Sequence, residues 1–210
     1  MKSRVRLIQL LLLLVSSNAF AQTAVELQIY DYAQLKKAEL EAFVARTQEI
    51  LSSAGVSVQV TVCSRTNPEL CPVNTAFPKT LILRIAGGSA PKMRDVRRPT
   101  LGQSFAERDG GTYAVVFLEQ VQQQAAEADI PAVMVLAYTA AHEVGHLLLG
   151  QEHSPRGLMK ANWDERDFQA MNQNWLHFSK GELRELAARY GTARTYALAQ
   201  ERTLPEGLQH

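Results

Sequence analysis

IPAVMVLAYTAAHEVGHLLLGQEH, residues 130–153, contains the most apolar helical segment that follows the chain's first twenty-one residues. Pro131 suits a first-turn position and Gly150 is a natural stop, so the pattern predicts one helix over 130–150. Three of the chain's five histidines fall in the last twelve of these residues. His142 and His146 are one helical turn apart, so both imidazoles leave the same face. Glu143 is rotated from that face by about 100°. It is out of line to act as a third ligand on the helix, yet placed to reach a water held there. Two nitrogen ligands on one rigid turn suit a tetrahedral zinc ion, and the neighbouring carboxylate suits a general base.

A buried amphipathic helix would explain the leucines equally well. It does not explain two histidines and a carboxylate in so apolar a segment, where unpartnered polar groups cost several kcal/mol. A metal ion removes that cost. Catalytic zinc sites keep three protein ligands and leave a fourth position open. The third ligand here is a choice among His153, Glu152, and glutamates of the last helix such as Glu182 and Glu185. His153 ranks first, because a glycine stops the helix three residues before it and lets the chain turn back.

HEVGHLLLGQEHSPRGLM, residues 142–159, resembles the metzincin clan of zinc metallopeptidases, and within it the matrixin-type branch. The resemblance implies that His142, His146 and His153 bind Zn2+, that Glu143 is the base, that Gly150 is the turn glycine, and that Met159 is the methionine of a turn beneath the metal. His153-Ser154 and Leu158-Met159 strengthen the match. Two departures stand out. The spacer between His146 and His153 is one residue longer than the clan's common pattern. The tyrosine that some members carry two positions after the turn methionine is here Ala161. The resemblance also implies that an edge strand bordering the cleft receives substrate as an added strand, and LGQSF (101–105) is the candidate.

The N-terminus reads as a signal peptide over 1–21. MKSRVR is basic, LIQLLLLLV is apolar but too short to span a bilayer, and Ala19-Phe20-Ala21 is a small-x-small cleavage site. No cysteine follows to carry a lipid. The expected mature chain, 22–210, is one domain by size, with no further segment long enough to span a membrane. Without Lys2, Arg4 and Arg6 the formal charge of +1 falls by three, to −2. No basic face for nucleic acid is implied, and PKMRDVRRP (91–99) reads as a solvated loop. Cys63 and Cys71 bound a short segment and, in an oxidising compartment, are expected to form a local disulfide.

Alternation and capping supply the rest. Strands are expected at 24–32, 56–63, 80–88, 101–105 and 112–121, the last two joined by an Asp-Gly-Gly turn. A helix is expected at 33–55 with a stripe of Leu35, Leu40, Phe43, Val44 and Ile50. A polar, irregular stretch is expected to about Leu176. SKGE (179–182) reads as a capping box opening a last helix that ends at Gly191, and the tail after about 196 reads as loosely ordered. The fold class is α+β, with a mixed sheet preceding the apolar helix.

These readings converge on an exported, secreted or periplasmic, zinc-dependent endopeptidase acting on protein or peptide substrates, with no stable membrane anchor. The competing reading is a zinc- or peptide-binding module without turnover. His177 reads as a solvated or packing histidine. Tyr113 and Tyr138 are weak candidates for oxyanion stabilisation, and Trp163 and Trp175 read as core or pocket wall.

Overall fold

The computed structural model describes residues 25–63, 71, 79–88 and 100–190. The expectations for 1–21, 91–99, Gly191 and the tail after 196 lie outside the described residues.

Strand β1 (Val25–Asp31) leads into helix α1 (Lys37–Ser53), which returns to strand β2 (Val58–Cys63). β1 and β2 pair in parallel, Val25 opposite Val58 and Tyr30 opposite Cys63. Strand β3 (Lys79–Ala86) pairs in parallel with the other side of β1, Leu27 opposite Leu81. Strands β4 (Gly102–Glu107) and β5 (Gly110–Phe117) form an antiparallel hairpin, and β5 lies parallel to β3. The five-stranded order is β2-β1-β3-β5-β4, so β4 is an edge. A mixed sheet with five helices is the α+β class expected from the sequence.

Alternation along the strands decides which face is covered. Val25, Leu27 and Ile29 of β1, Leu81, Leu83 and Ile85 of β3, and Ala114 and Val116 of β5 are fully buried and form the core. Burying each Val, Leu or Ile contributes roughly 1.5–3 kcal/mol. α1 and the apolar helix α3 (Ala132–Leu149) pack against each other over this layer.

α3 is buried on all sides from Val135 to Leu148. By length and composition it could cross a membrane, contrary to the expectation that no mature segment is long enough. Its burial inside the fold identifies it as the core helix of a packed domain, a role that composition alone cannot separate from a span.

Two helices were not anticipated. Helix α2 (Leu118–Ala128) begins where the strand over 112–121 was expected to continue. The β-favouring Tyr-Ala-Val-Val-Phe gives way to Leu-Glu-Gln, good helix formers, with Leu118, Val121 and Ala125 on one face. Helix α4 (Glu165–Asn172) lies inside the stretch read as irregular. The Asp164 side chain accepts from Arg166 N and Asp167 N, and Asp167 reaches back to Asp164 N, a capping box built from two aspartates. The last helix, α5 (Lys180–Tyr190), opens as expected, with Ser179 and Glu182 exchanging cap bonds. Cys63, at the end of β2, is joined to Cys71 by a disulfide, as expected.

Candidate metal centre

α3 carries His142, Glu143 and His146 into the interior, and all three are buried. Each helical histidine is held by the main chain. His142 Nδ1 donates to the Leu158 carbonyl at 2.7 Å, and His146 Nδ1 donates to the Gly150 carbonyl at 2.9 Å. A carbonyl only accepts, so the proton of each neutral ring sits on Nδ1 and the Nε2 lone pair faces inward.

The chain turns back at Gly150, whose φ of 111° is open only to glycine and where a Cβ would strike the Arg108 carbonyl of the hairpin turn. Three residues later His153 arrives from the exposed side, and its Nε2 lies 3.2 Å from that of His146. His146 Nε2 is also 3.1 Å from His142 Nε2. The ligand atoms of all three fall within 4.8 Å of one another.

Lone pairs converging at this distance repel unless a cation lies between them. Two nitrogens bound tetrahedrally to one zinc at about 2.0–2.1 Å would sit about 3.3 Å apart. The donor set therefore fits a small, borderline-soft ion of the zinc type. Burial lowers the affinity of both helical rings for a proton. It pushes His142 down to about 3, against the opposing bond to Leu158, and it lowers His146 in the same way. The rings are thus neutral, the form in which imidazole binds metal.

Of the other acceptors considered, none joins the triad. Glu182 Oε1 accepts from the Ser154 hydroxyl and its Oε2 accepts from Ser179 N, while Glu185 pairs with Arg189. Glu152 is exposed and outside the cluster.

Glu143 faces the same cleft. Burial raises its carboxyl to about 7, opposed by hydrogen bonds from the side chain and main chain of Ser104 on β4. The contact of Ser104 with Glu143 is one that the sequence did not reveal, because it pairs residues thirty-nine positions apart across an edge strand and a helix. The cleft has a volume of about 460 Å³ and is lined by Leu101, by β4 residues Gly102 to Ser104 and Ala106, by the turn from Lys160 to Trp163, and by Phe168. The expected edge strand thus borders the histidines.

Met159 lies beneath. Gly145 leaves room for it, since a Cβ there would collide with the Met159 sulfur. The turn it occupies is closed by Ser154 N donating to the Met159 carbonyl and Leu158 N donating to the His177 carbonyl, both at 2.9 Å. Trp163 stands edge-on to His142, 5.4 Å between centroids, and donates from Nε1 to the Leu158 carbonyl. It is a cleft wall, as expected. Trp175 is not: it is 71% exposed. His177 is exposed, Tyr138 is buried away from the cleft lining, and Tyr113, half-buried and also outside the lining, packs on Phe105. Neither tyrosine is placed to meet an oxyanion.

No protein-family model matches the sequence, and no curated protein sequence matches it. Among solved structures, the chain is similar to metalloproteinase-II from Bacteroides fragilis, with a TM-score of 0.47 and 13% identity over 82% of this chain and 55% of that one. It is also similar to archaemetzincin from Methanopyrus kandleri, with a TM-score of 0.46 and 16% identity over 85% of this chain and 95% of that one.

Proposed function

We propose that this protein is an extracytoplasmic zinc-dependent endopeptidase that hydrolyses peptide bonds of protein or peptide substrates. The observation that carries the reading is the convergence of the Nε2 atoms of His142, His146 and His153 in a cleft that also holds the buried carboxyl of Glu143. His142, His146 and His153 would hold the ion, which supplies polarisation of the scissile carbonyl and activation of a water.

The chain's own groups do the rest. Three imidazoles would bind as neutral ligands and would leave the ion's charge uncompensated. Glu143 takes the proton from the attacking water and passes it to the departing amine. Its raised pKa suits a group that must both accept and release a proton near neutral pH. β4 offers main-chain donors and acceptors along the edge that no other described strand pairs, which supports binding of an extended peptide as an added strand. Met159 packs under the histidines as the turn methionine, and Gly150 directs His153 toward them. Ser154 and Leu158-Met159 support placement nearest the matrixin-type branch. The disulfide between Cys63 and Cys71 supports an oxidising compartment, in line with the signal-like segment 1–21.

The second reading, a zinc- or peptide-binding module without turnover, explains the histidines but gives Glu143 no task. Purified protein lacking residues 1–21 should bind one zinc and cleave casein or members of a broad peptide library. Glu143→Ala should keep the zinc and lose cleavage. Zinc in both proteins with cleavage by neither would sink the peptidase reading. Loss of zinc on Glu152→Ala but not on His153→Ala would overturn the ligand assignment.

A further inference from the structure

We propose that α5 is a brace that sets the position of the third ligand, with Glu182 near its start and Arg189 and Tyr190 at its end holding the two ends of the loop that carries His153. This inference rests on the metal reading above and names residues beyond the ligands and the base.

The carbonyls of the last turn of a helix have no partner within it. In α3 the Gly150 N–H reaches the His146 carbonyl, but Gly150 then turns away, and the Leu147 and Leu148 carbonyls are left pointing past the helix end. Both are met from outside. Lys79 Nζ on β3 donates to the Leu147 carbonyl at 2.9 Å, with its ammonium 5.7 Å from the centre of the Tyr190 ring. Arg189 Nη1 donates to the Leu148 carbonyl at 3.1 Å, and Tyr190 Oη donates to it at 3.4 Å. Arg189 is held in turn by Glu185, one turn back on the same helix. Cations at the negative end of a helix are favourably placed.

The far end of the loop is fixed by the same helix. The Ser154 hydroxyl, next to His153, donates to Glu182 Oε1. The other oxygen of that carboxylate accepts from Ser179 N at 2.6 Å, so the capping box of α5 holds the anchor rigid. From Glu182 to Arg189 the helix advances about 10 Å, at about 1.5 Å per residue. One rigid rod therefore bonds to the chain just before Gly150 and just after His153. The spacer here is one residue longer than the common pattern, and a longer loop has more conformations to exclude. A brace across both ends excludes them without any new contact to the imidazole itself.

The test measures zinc affinity by competition with a chromophoric chelator for the wild type, Glu182→Gln, Arg189→Met, Tyr190→Phe and the Glu182→Gln/Arg189→Met pair. Each is made with His153 present and in a His153→Ala background. Residues that orient ligands are worth roughly 10–100-fold in metal affinity. The pair is expected to lose affinity in that range with His153 present and to lose nothing further in the His153→Ala background. An equal loss in both backgrounds would mean that α5 supports the fold at large, and no loss in either would mean that His153 finds its place unaided; both results overturn the brace. Thermal unfolding of the metal-free variants separates loss of fold from loss of placement. A wild type that takes up no zinc overturns the metal reading and the brace with it. Zinc uptake without peptide cleavage counts against the peptidase reading alone, and the affinities then still decide the brace.

Discussion

Consider the protein stripped of metal with a chelator and unfolded in urea at successive pH values from 7 to 4.5. His142 has a reference pKa of 6.5 and is held at about 3 in the fold. Below pH 6.5 the unfolded chain takes up a proton that the folded chain refuses, so stability present above that pH is lost as acid is added. Over the two units down to pH 4.5 the loss is about 3 kcal/mol, at about 1.4 kcal/mol per unit. His146 is shifted in the same direction and adds to it. Glu143 works the other way. Its carboxyl moves from 4.5 to about 7, so the folded chain keeps a proton that the unfolded chain has released. That contribution is present below pH 4.5 and is lost as the pH rises through 7, which means that acidification restores about 3 kcal/mol over the same interval. The contributions of His142 and Glu143 nearly cancel, which leaves the metal-free wild type chiefly the acid loss from His146. Glu143→Gln removes the offset. Between pH 7 and 4.5 it should lose about 3 kcal/mol more than the wild type, seen as diverging urea midpoints at constant m-value. Parallel curves for the two proteins would refute the reasoning, because they would show that Glu143 is not held protonated by its burial.

Three further outcomes are expected. Met159→Ala should destabilise by about 2–5 kcal/mol, since it empties a fully buried site beneath the histidines, whereas Met159→Leu should cost less than about 1.5 kcal/mol; equal melting temperatures for the two would contradict the packing. Gly150→Ala should cost on the order of 1–3 kcal/mol from its positive φ, with a drop in zinc affinity because its Cβ meets the Arg108 carbonyl; wild-type zinc affinity would show that the turn is not constrained as described. Reducing the Cys63–Cys71 bond, which closes a loop with a sequence separation of 8, should lower stability by about 2–3 kcal/mol in denaturant titrations run with and without reductant.

The parts of this fold that were legible in the sequence are those fixed by neighbours along the chain. α3 announced itself through its apolar run between Pro131 and Gly150, α5 through Ser179 and Glu182, and the hairpin through Asp109 and Gly110. The start of α2 was missed because Val115, Val116, Phe117 and Leu118 form one apolar run that a strand and a helix can both use. α4 was missed because a helix of eight residues offers barely two turns of periodicity, and its signal was Asp164 paired with Asp167 rather than the usual glutamate. The helical half of the site, His142, Glu143 and His146, follows from the 3.6-residue period. His153 ranks first on the helix stop at Gly150, and the resemblance strengthens it, but its final position follows from the path of the backbone, which the periodicity does not give. Ser104 could not be read at all. Its pairing with Glu143 depends on which strand becomes the edge of the sheet, a property of the whole topology.

The acceptors that fix the two helical imidazoles are the carbonyls of Leu158 and Gly150, not side chains. No single substitution deletes a peptide carbonyl, so this outer shell does not depend on side-chain identity at position 158, and at 150 only the need for glycine restricts it. What it depends on is length: one residue gained or lost between His146 and Gly150, or between His153 and Leu158, would rotate the carbonyl away from its ring. Sequence drift should therefore be tolerated within these two segments, whereas a change in their length, such as the longer spacer of this chain, requires the turn to be rebuilt so that a carbonyl again meets the ring.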